Sequence, residues 1–323
     1  MSGGADITRD IKKRGSMKLT FEVVVNEKLA TLLKNTSNSE YSNKFLHSLV
    51  NEFESGQWMS QRFQSYIWDN ITQSCLSHSE REALADSSYT KLVQAAKNLR
   101  LTDSTKDIGK GSELAEIILY GIMKDHYAAL PVVPKIFYKQ NTQDNAKGAD
   151  SVHIIVEGDE FSLWYGEVKF YSSIEDARFT EIFKSLAESL DDEKMKKENR
   201  IVSNTSDLEQ LISNKTMLKS IIKHLDATAS LDKLKPKIHI PILLLHECKI
   251  TKSANTLSQK YLTDIKTHHT ERAASFFKKF HEKYSKKIFM FDDVKFHIIL
   301  LPVPSKSEIV NSFITRAKIF RES

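Results

Sequence analysis

Cysteine is scarce in this chain. Its two, Cys75 and Cys248, lie far apart and neither has a CxxC partner. By arithmetic alone such a count rules out a disulfide framework and a thiolate zinc site. It fits a reducing, cytoplasmic setting. Long apolar runs are also missing. None reaches the ~18 residues that mark a bilayer-spanning helix. The longest, IPILLLHE and FHIILLPV, are of strand length, so no membrane is expected among the partners. Residues 1–17 are polar and lack the apolar core of a secretory signal, and they are expected to form a flexible leader outside the fold. A GxxxxGK[ST] loop is absent, so the chain is not itself a nucleotide-driven motor. There is no GxSxG nucleophile elbow and no internal repeat.

What is present is a chain of 323 residues, long enough for one large domain or two ordinary ones. With 40% apolar and 28% charged residues it reads as soluble and globular. The net charge of +5 is compatible with a nucleic-acid partner but too mild to require one.

Hydrophobic periodicity divides the chain into elements. KLTFEVVVNE (18–27) has the pattern of a strand, and from about Ser42 to Leu99 the pattern turns helical, beginning with FLHSLVNEF. A polar connector (101–112) leads to SELAEIILYGIMKDH (112–126), a helix apolar on most of its circumference and so expected between layers. PVVPKIFYK (131–139) is a short strand and QNTQDNAKGA a turn-rich loop. DSVHIIVEGDEFSLWYGEVKFY reads as two strands joined by a tight turn at Glu157-Gly158-Asp159. Helices follow from Ile174 to Lys197 and from Asp207 to Leu225, then a strand (238–247), a long helix (258–287), a strand (294–303) and a closing helix (305–320). The sequence implies an α/β fold whose mixed sheet is covered by helices. A mainly helical N-terminal region (18–105) precedes a second domain (106–323).

GEVKFY (166–171) carries the chemistry. Alternation puts Leu163, Tyr165, Glu167 and Lys169 on one face and Trp164, Val168 and Phe170 on the other. An ExK triplet alone is commonly a structural ion pair. Here Asp150 opens the preceding strand, after Lys147-Gly148-Ala149, and a hairpin sets it beside Glu167. Two adjacent carboxylates repel, and a divalent cation relieves that repulsion. Mg²⁺ suits an Asp, a Glu and a backbone carbonyl such as that of Val168. Lys169 would then hold or deprotonate the water, or offset charge on a phosphate. Upstream, Glu113 and Glu116 lie three residues apart on the apolar helix. Glu113 also reads as an ordinary first-turn acid, whereas Glu116 lacks an obvious wet face.

This order, helix Glu, Asp150, then Glu167-Val168-Lys169, resembles the PD-(D/E)XK nuclease superfamily and its restriction-endonuclease-like core. More narrowly, GSELAEIILYGIM, GADSVHII, LWYGEVKFY and FHIILLPVPSKSEIV resemble the HamA-type nuclease subunit of the Hachiman anti-phage defence system, over roughly Gly109 to the C-terminus. The resemblance implies a DNase of little sequence selectivity, dependent on Mg²⁺ or on Mn²⁺ in its place. It also implies control by a superfamily 2 helicase subunit of HamB type. Asp150, Glu167 and Lys169 inherit the motif's metal and catalytic roles. For the helix acid, Gly111 leaves both Glu113 and Glu116 open, with Glu116 preferred. Ala149 stands where the motif's proline would be. Two other readings remain: a non-catalytic docking module for a helicase, and a restriction endonuclease acting alone.

KTHHTERAASFFKKFHEKYSKK (266–287) is the most basic stretch, with seven Lys or Arg against two Glu. Ala273, Phe276, Phe280 and Tyr284 fall at helical spacing and are expected in the core, leaving the lysines as a solvated face open to DNA. His268 and His269 point about 100° apart and are expected at the surface. His153 is expected to be structural.

Overall fold

The computed structural model describes residues 19–34, 39–101, 112–134, 136, 149–203, 206–226 and 228–323. The leader, most of the polar connector with Gly111, and the loop with Lys147 and Gly148 lie outside them.

A seven-stranded mixed sheet organises the chain. β1 (Glu22–Lys28), β2 (Lys44–Val50), β5 (Leu130–Val133), β6 (Ser151–Glu157), β7 (Glu160–Tyr171), β8 (Ile238–Glu247) and β9 (Lys295–Val303) take the order β1-β2-β9-β8-β7-β6-β5. The four central strands, β2, β9, β8 and β7, are parallel, and antiparallel strands finish both edges. Central parallel strands are covered on both faces, which is why β8 and β9 are nearly continuous apolar runs. A small separate hairpin pairs β3 (Phe53–Glu54) with β4 (Gln57–Trp58).

β2 was expected to be helical, and the structure corrects that. All but one of its residues are buried, because sheet neighbours flank it and helices cover both its faces. An apolar run of that length does not distinguish a strand from a buried helix by period alone. The region 18–105 therefore supplies two strands to the common sheet. Its remainder is mainly helical: α1 (Leu29–Leu32), α2 (Ser60–Cys75), α3 (His78–Ala83) and α4 (Ser88–Lys97).

One face of the sheet is covered by α2, α4, α5 (Ser112–Tyr127) and α13 (Lys306–Arg321), packed on Trp164, Val168, Phe170, Leu243 and Ile299. The opposite face carries α6 (Phe179–Ser189), α7 (Asp192–Ser203), α8 (Ser206–Leu211), α9 (Lys215–Leu225), α10 (Leu231–Leu234) and α12 (Gln259–Tyr284) on Leu163, Tyr165, Ile242 and Ile298. A short α11 (Lys249–Ser253) joins β8 to α12. In α12, Ala273, Phe276 and Phe280 are fully buried, as the helical spacing implied, and Phe277 joins them, whereas Tyr284 is only half-buried against the core's edge. Arg272 and Lys279 of the same helix hold Asp176. No helix among the described residues is long and apolar enough to cross a membrane.

Candidate active site

The β6–β7 hairpin closes through a two-residue turn, with Glu157 paired to Glu160. Gly158 takes a φ of 60° while Asp159 stays on the ordinary side, the signature of a type II′ turn that matches the twist of the strands. At the other end β6 stops short. Its first pair is Ser151 with Gly166, yet β7 runs on for five more residues to Tyr171, paired with β8 on its other side.

Asp150 stands where that pairing ends. Its amide donates to the Gly166 carbonyl at 2.8 Å, and its carboxylate accepts the Val168 amide at 3.0 Å. The side chain thus caps an amide that β6 no longer reaches. One step beyond the last pair, this sets Asp150 beside Glu167.

Glu167 projects with Tyr165 toward the α6 face, while Trp164, Val168 and Phe170 face α5. It is only 5% exposed. Its Oε1 accepts from Lys169 Nζ at 2.6 Å and from Ser185 Oγ of α6 at 2.8 Å. Burial raises the Glu167 pKa and the neighbouring Asp150 carboxylate adds to it, against the opposing pull of Lys169. Burial alone would lower Lys169, but Glu167 and Asp150 outweigh it and hold the ammonium above its usual range. Tyr171, two residues on, is pushed up to about 12, chiefly by burial.

The two helix glutamates separate. Glu113 accepts the backbone amides of Arg100 at 2.9 Å and Leu101 at 3.3 Å, tying the start of α5 to the end of the preceding helical region. Glu116 is 3% exposed. Contacts along α5 run antiparallel to β7: Tyr127 packs on Trp164, and Leu119 lies over Gly166. That order carries Glu116 toward the Val168 end of the strand. The ligand atoms of Asp150, Glu167 and Glu116 do not, however, form a trio within 4.8 Å of one another among the described residues. Glu116 approaches from the α5 side of the sheet and Glu167 leaves on the other.

Ser185 was not anticipated. The available signal was a hydroxyl among Ile182, Phe183 and Leu186, a polar residue along the apolar stripe of α6. His153 is fully buried against Tyr120, a structural position as expected. His269 is not at the surface: it is fully buried, its Nδ1 2.7 Å from Ser48 Oγ, and His268 is half-buried. A 26-residue helix lying on the sheet buries one of two adjacent residues even when the pair reads as polar.

A family model described as HamA matches residues 24–317. The chain belongs to the HamA family. The match begins in β1 and ends in α13, so it takes in every strand of the large sheet and not only the segment after the connector. Membership makes the chain a HamA-type subunit of Hachiman antiviral defence. No curated protein and no solved structure matches it.

Proposed function

We propose that this HamA-family chain is a metal-dependent DNA nuclease that hydrolyses phosphodiester bonds with little sequence selectivity. In this reading it is the effector of its defence complex, restrained by a superfamily 2 helicase partner. One observation carries the reading: Asp150, Glu167 and Lys169 meet where β7 outruns β6, with Lys169 Nζ 2.6 Å from the buried Glu167. Two carboxylates close enough for Asp150 to raise the pKa of Glu167 are a hard, oxygen-only donor pair in excess negative charge, which fits Mg²⁺ or Mn²⁺.

Asp150, Glu167 and the Val168 carbonyl would hold the ion, with Glu116 assisting from the α5 side. When bound, it supplies a polarised phosphate oxygen and a more acidic water. The protein's own groups do the rest. The Val168 amide and Ser185 hydroxyl fix the two carboxylates before substrate arrives, which lowers the cost of organising the site. Lys169 is an ammonium at neutral pH, so its part is to donate a hydrogen bond and offset charge on the phosphate, not to remove a proton.

The test is cleavage of plasmid and linear DNA in Mg²⁺ by wild type and Lys169→Ala, each alone and with the helicase subunit. Loss of roughly 10²-fold or more in Lys169→Ala is expected. Equal cleavage by Lys169→Ala, with contaminating nuclease excluded, would sink the assignment. A second reading, a docking module without catalysis, draws on the same contact: Glu167 already has Lys169 and Ser185 as partners. Absence of cleavage in every lane would favour it.

A further inference from the structure

His246, Cys248 and His268 offer ligand atoms that all lie within 4.8 Å of one another. They are scattered in sequence and gathered by the fold: His246 near the end of β8, Cys248 just past it, and His268 midway along α12. The cysteine count that ruled out a thiolate zinc site considered cysteines alone, and this cluster goes against that exclusion, because topology brings in histidines that the count ignores.

The protonation pattern suits a metal. His246 is fully buried, with Nδ1 3.3 Å from the Leu244 carbonyl oxygen. A carbonyl can only accept, so Nδ1 carries the proton and Nε2 presents its lone pair. That Nε2 is buried and has no hydrogen-bond partner among the described residues. Metal-bound histidines are oriented in this way, by a carbonyl on the far nitrogen. Cys248 is 5% exposed in a small apolar cluster with Val50, Tyr261 and Ile265.

We propose that His246, Cys248 and His268 form a zinc-type site with a fourth position open to water, stapling the end of β8 to α12. A thiolate with two imidazoles is a soft-to-borderline donor set that selects zinc over Mg²⁺. In a tetrahedral site with Zn–S near 2.3 Å and Zn–N near 2.0–2.1 Å, donors sit about 3.5 Å apart. A spread of up to 4.8 Å closes by about an ångström of side-chain rotation, which the half-buried His268 is free to supply. Binding displaces the thiol proton to solvent. His269 backs the cluster, its ring centroid 5.2 Å from that of His246. The site is distinct from the carboxylate pair in donors and position: His246 pairs with Tyr171 in the β7–β8 register, two residues beyond Lys169 and one strand over.

The experiment uses the full-length chain without a histidine tag, stripped with a chelator and titrated with Co²⁺ as the probe. Expected are a thiolate-to-cobalt charge-transfer band and intense visible bands of tetrahedral cobalt, saturating near one Co²⁺ per chain. Zn²⁺ should bleach them and Mg²⁺ should not. Cys248→Ser should abolish the charge-transfer band, whereas Cys75→Ser should keep it. His268→Gln, at a half-buried position that tolerates change, should bind at least roughly tenfold more weakly. Absence of the band in wild type, or its persistence in Cys248→Ser, overturns the proposal. The titration contains no DNA, and Lys169→Ala should retain the full spectrum, so the nuclease reading and this one can fail separately.

Discussion

Glu113 and Glu116 differ by one turn of helix and by what their carboxylates touch. Glu113 accepts two main-chain amides at the start of α5, whereas Glu116 is buried toward the Val168 end of β7. Glu113→Gln should therefore cost stability, about 0.5–2 kcal/mol as for a lost cap, and leave cleavage intact. Glu116→Gln should lower Mg²⁺-dependent cleavage by roughly 10²-fold or more with a smaller change in melting temperature. Paired melts and cleavage rates check this, and the reverse pattern would hand the helix role to Glu113. Lys44 offers a test without any substrate. Its side chain is fully buried, with Nζ 4.6 Å from the ring centres of both Phe291 and Phe296 and hydrogen-bonded to Asn43. Burial lowers its pKa to about 7, partly opposed by Asp292. Unfolded, the same lysine keeps a proton up to its ordinary 10.5. Between those values the unfolded chain binds more protons, so this residue makes stability rise with pH across that window and fall toward neutrality. Lys44→Met should accordingly stabilise near pH 7. The gain expected is about 1–3 kcal/mol, once the lost ring contacts and the Asn43 oxygen left behind are counted. Denaturant melts of both proteins from pH 7 to 10 should show that gain shrinking as pH rises. A constant difference would mean that the ammonium is not what costs stability there.

At the scale of elements, the open end of the hairpin depends on Gly166. A Cβ on Gly166 would sit 2.1 Å from Ser151 Oγ and 2.6 Å from Leu119 Cδ2, so both of these side chains would have to move to admit it. Gly166→Ala should destabilise by about 1–3 kcal/mol, the usual cost of overpacking. Cleavage should fall with it, because Glu167 is the next residue. Adding Ser151→Ala removes the nearer clash and leaves only the rotatable end of Leu119, so the double variant should recover much of the stability. A Gly166→Ala protein with an unchanged melt would contradict this packing. The hairpin was legible in the sequence because it alternates: Leu163, Tyr165, Glu167 and Lys169 against Trp164, Val168 and Phe170, with a glycine turn between the strands. β8, β9 and α13 were legible as well, bounded by turn residues and capped by Ser305. β2 was not, because burial on both faces erases alternation in KFLHSLV. The cluster of His246, Cys248 and His268 was not legible either. Its members meet only because β8 ends beside α12, and adjacent histidines on a helix carry no sign of which one meets a strand's end.

At the scale of the whole molecule, the question is whether the region before residue 106 stands apart. The sheet argues for one cooperative body. β2 lies between β1 and β9, with a five-pair parallel register from Lys44–Phe296 to Ser48–Leu300. Asn43 Nδ2 donates to the carbonyls of Phe291 and Asp292, some 250 residues away in sequence. On the other face, Tyr66 of α2 donates to Asp125 of α5 at 3.0 Å, and Trp68 packs on Phe313 and Phe320 of α13. Removing residues 1–105 would unpair the long, apolar β9 edge and uncover the α5 and α13 faces that α2 and α4 bury. Such an edge is a template for aggregation. A chain beginning at residue 106 is thus expected to be insoluble, or to melt without cooperativity, unlike the full chain. Circular dichroism melts with size-exclusion chromatography decide the matter. A soluble, cooperatively melting 106–323 fragment would show that this region folds alone and that β1 and β2 are an addition to it. If the expectation holds, any partner that grips the N-terminal helices also grips the sheet through β2. From there it reaches the strands that carry Glu167 and Lys169, by contacts already present in the folded chain.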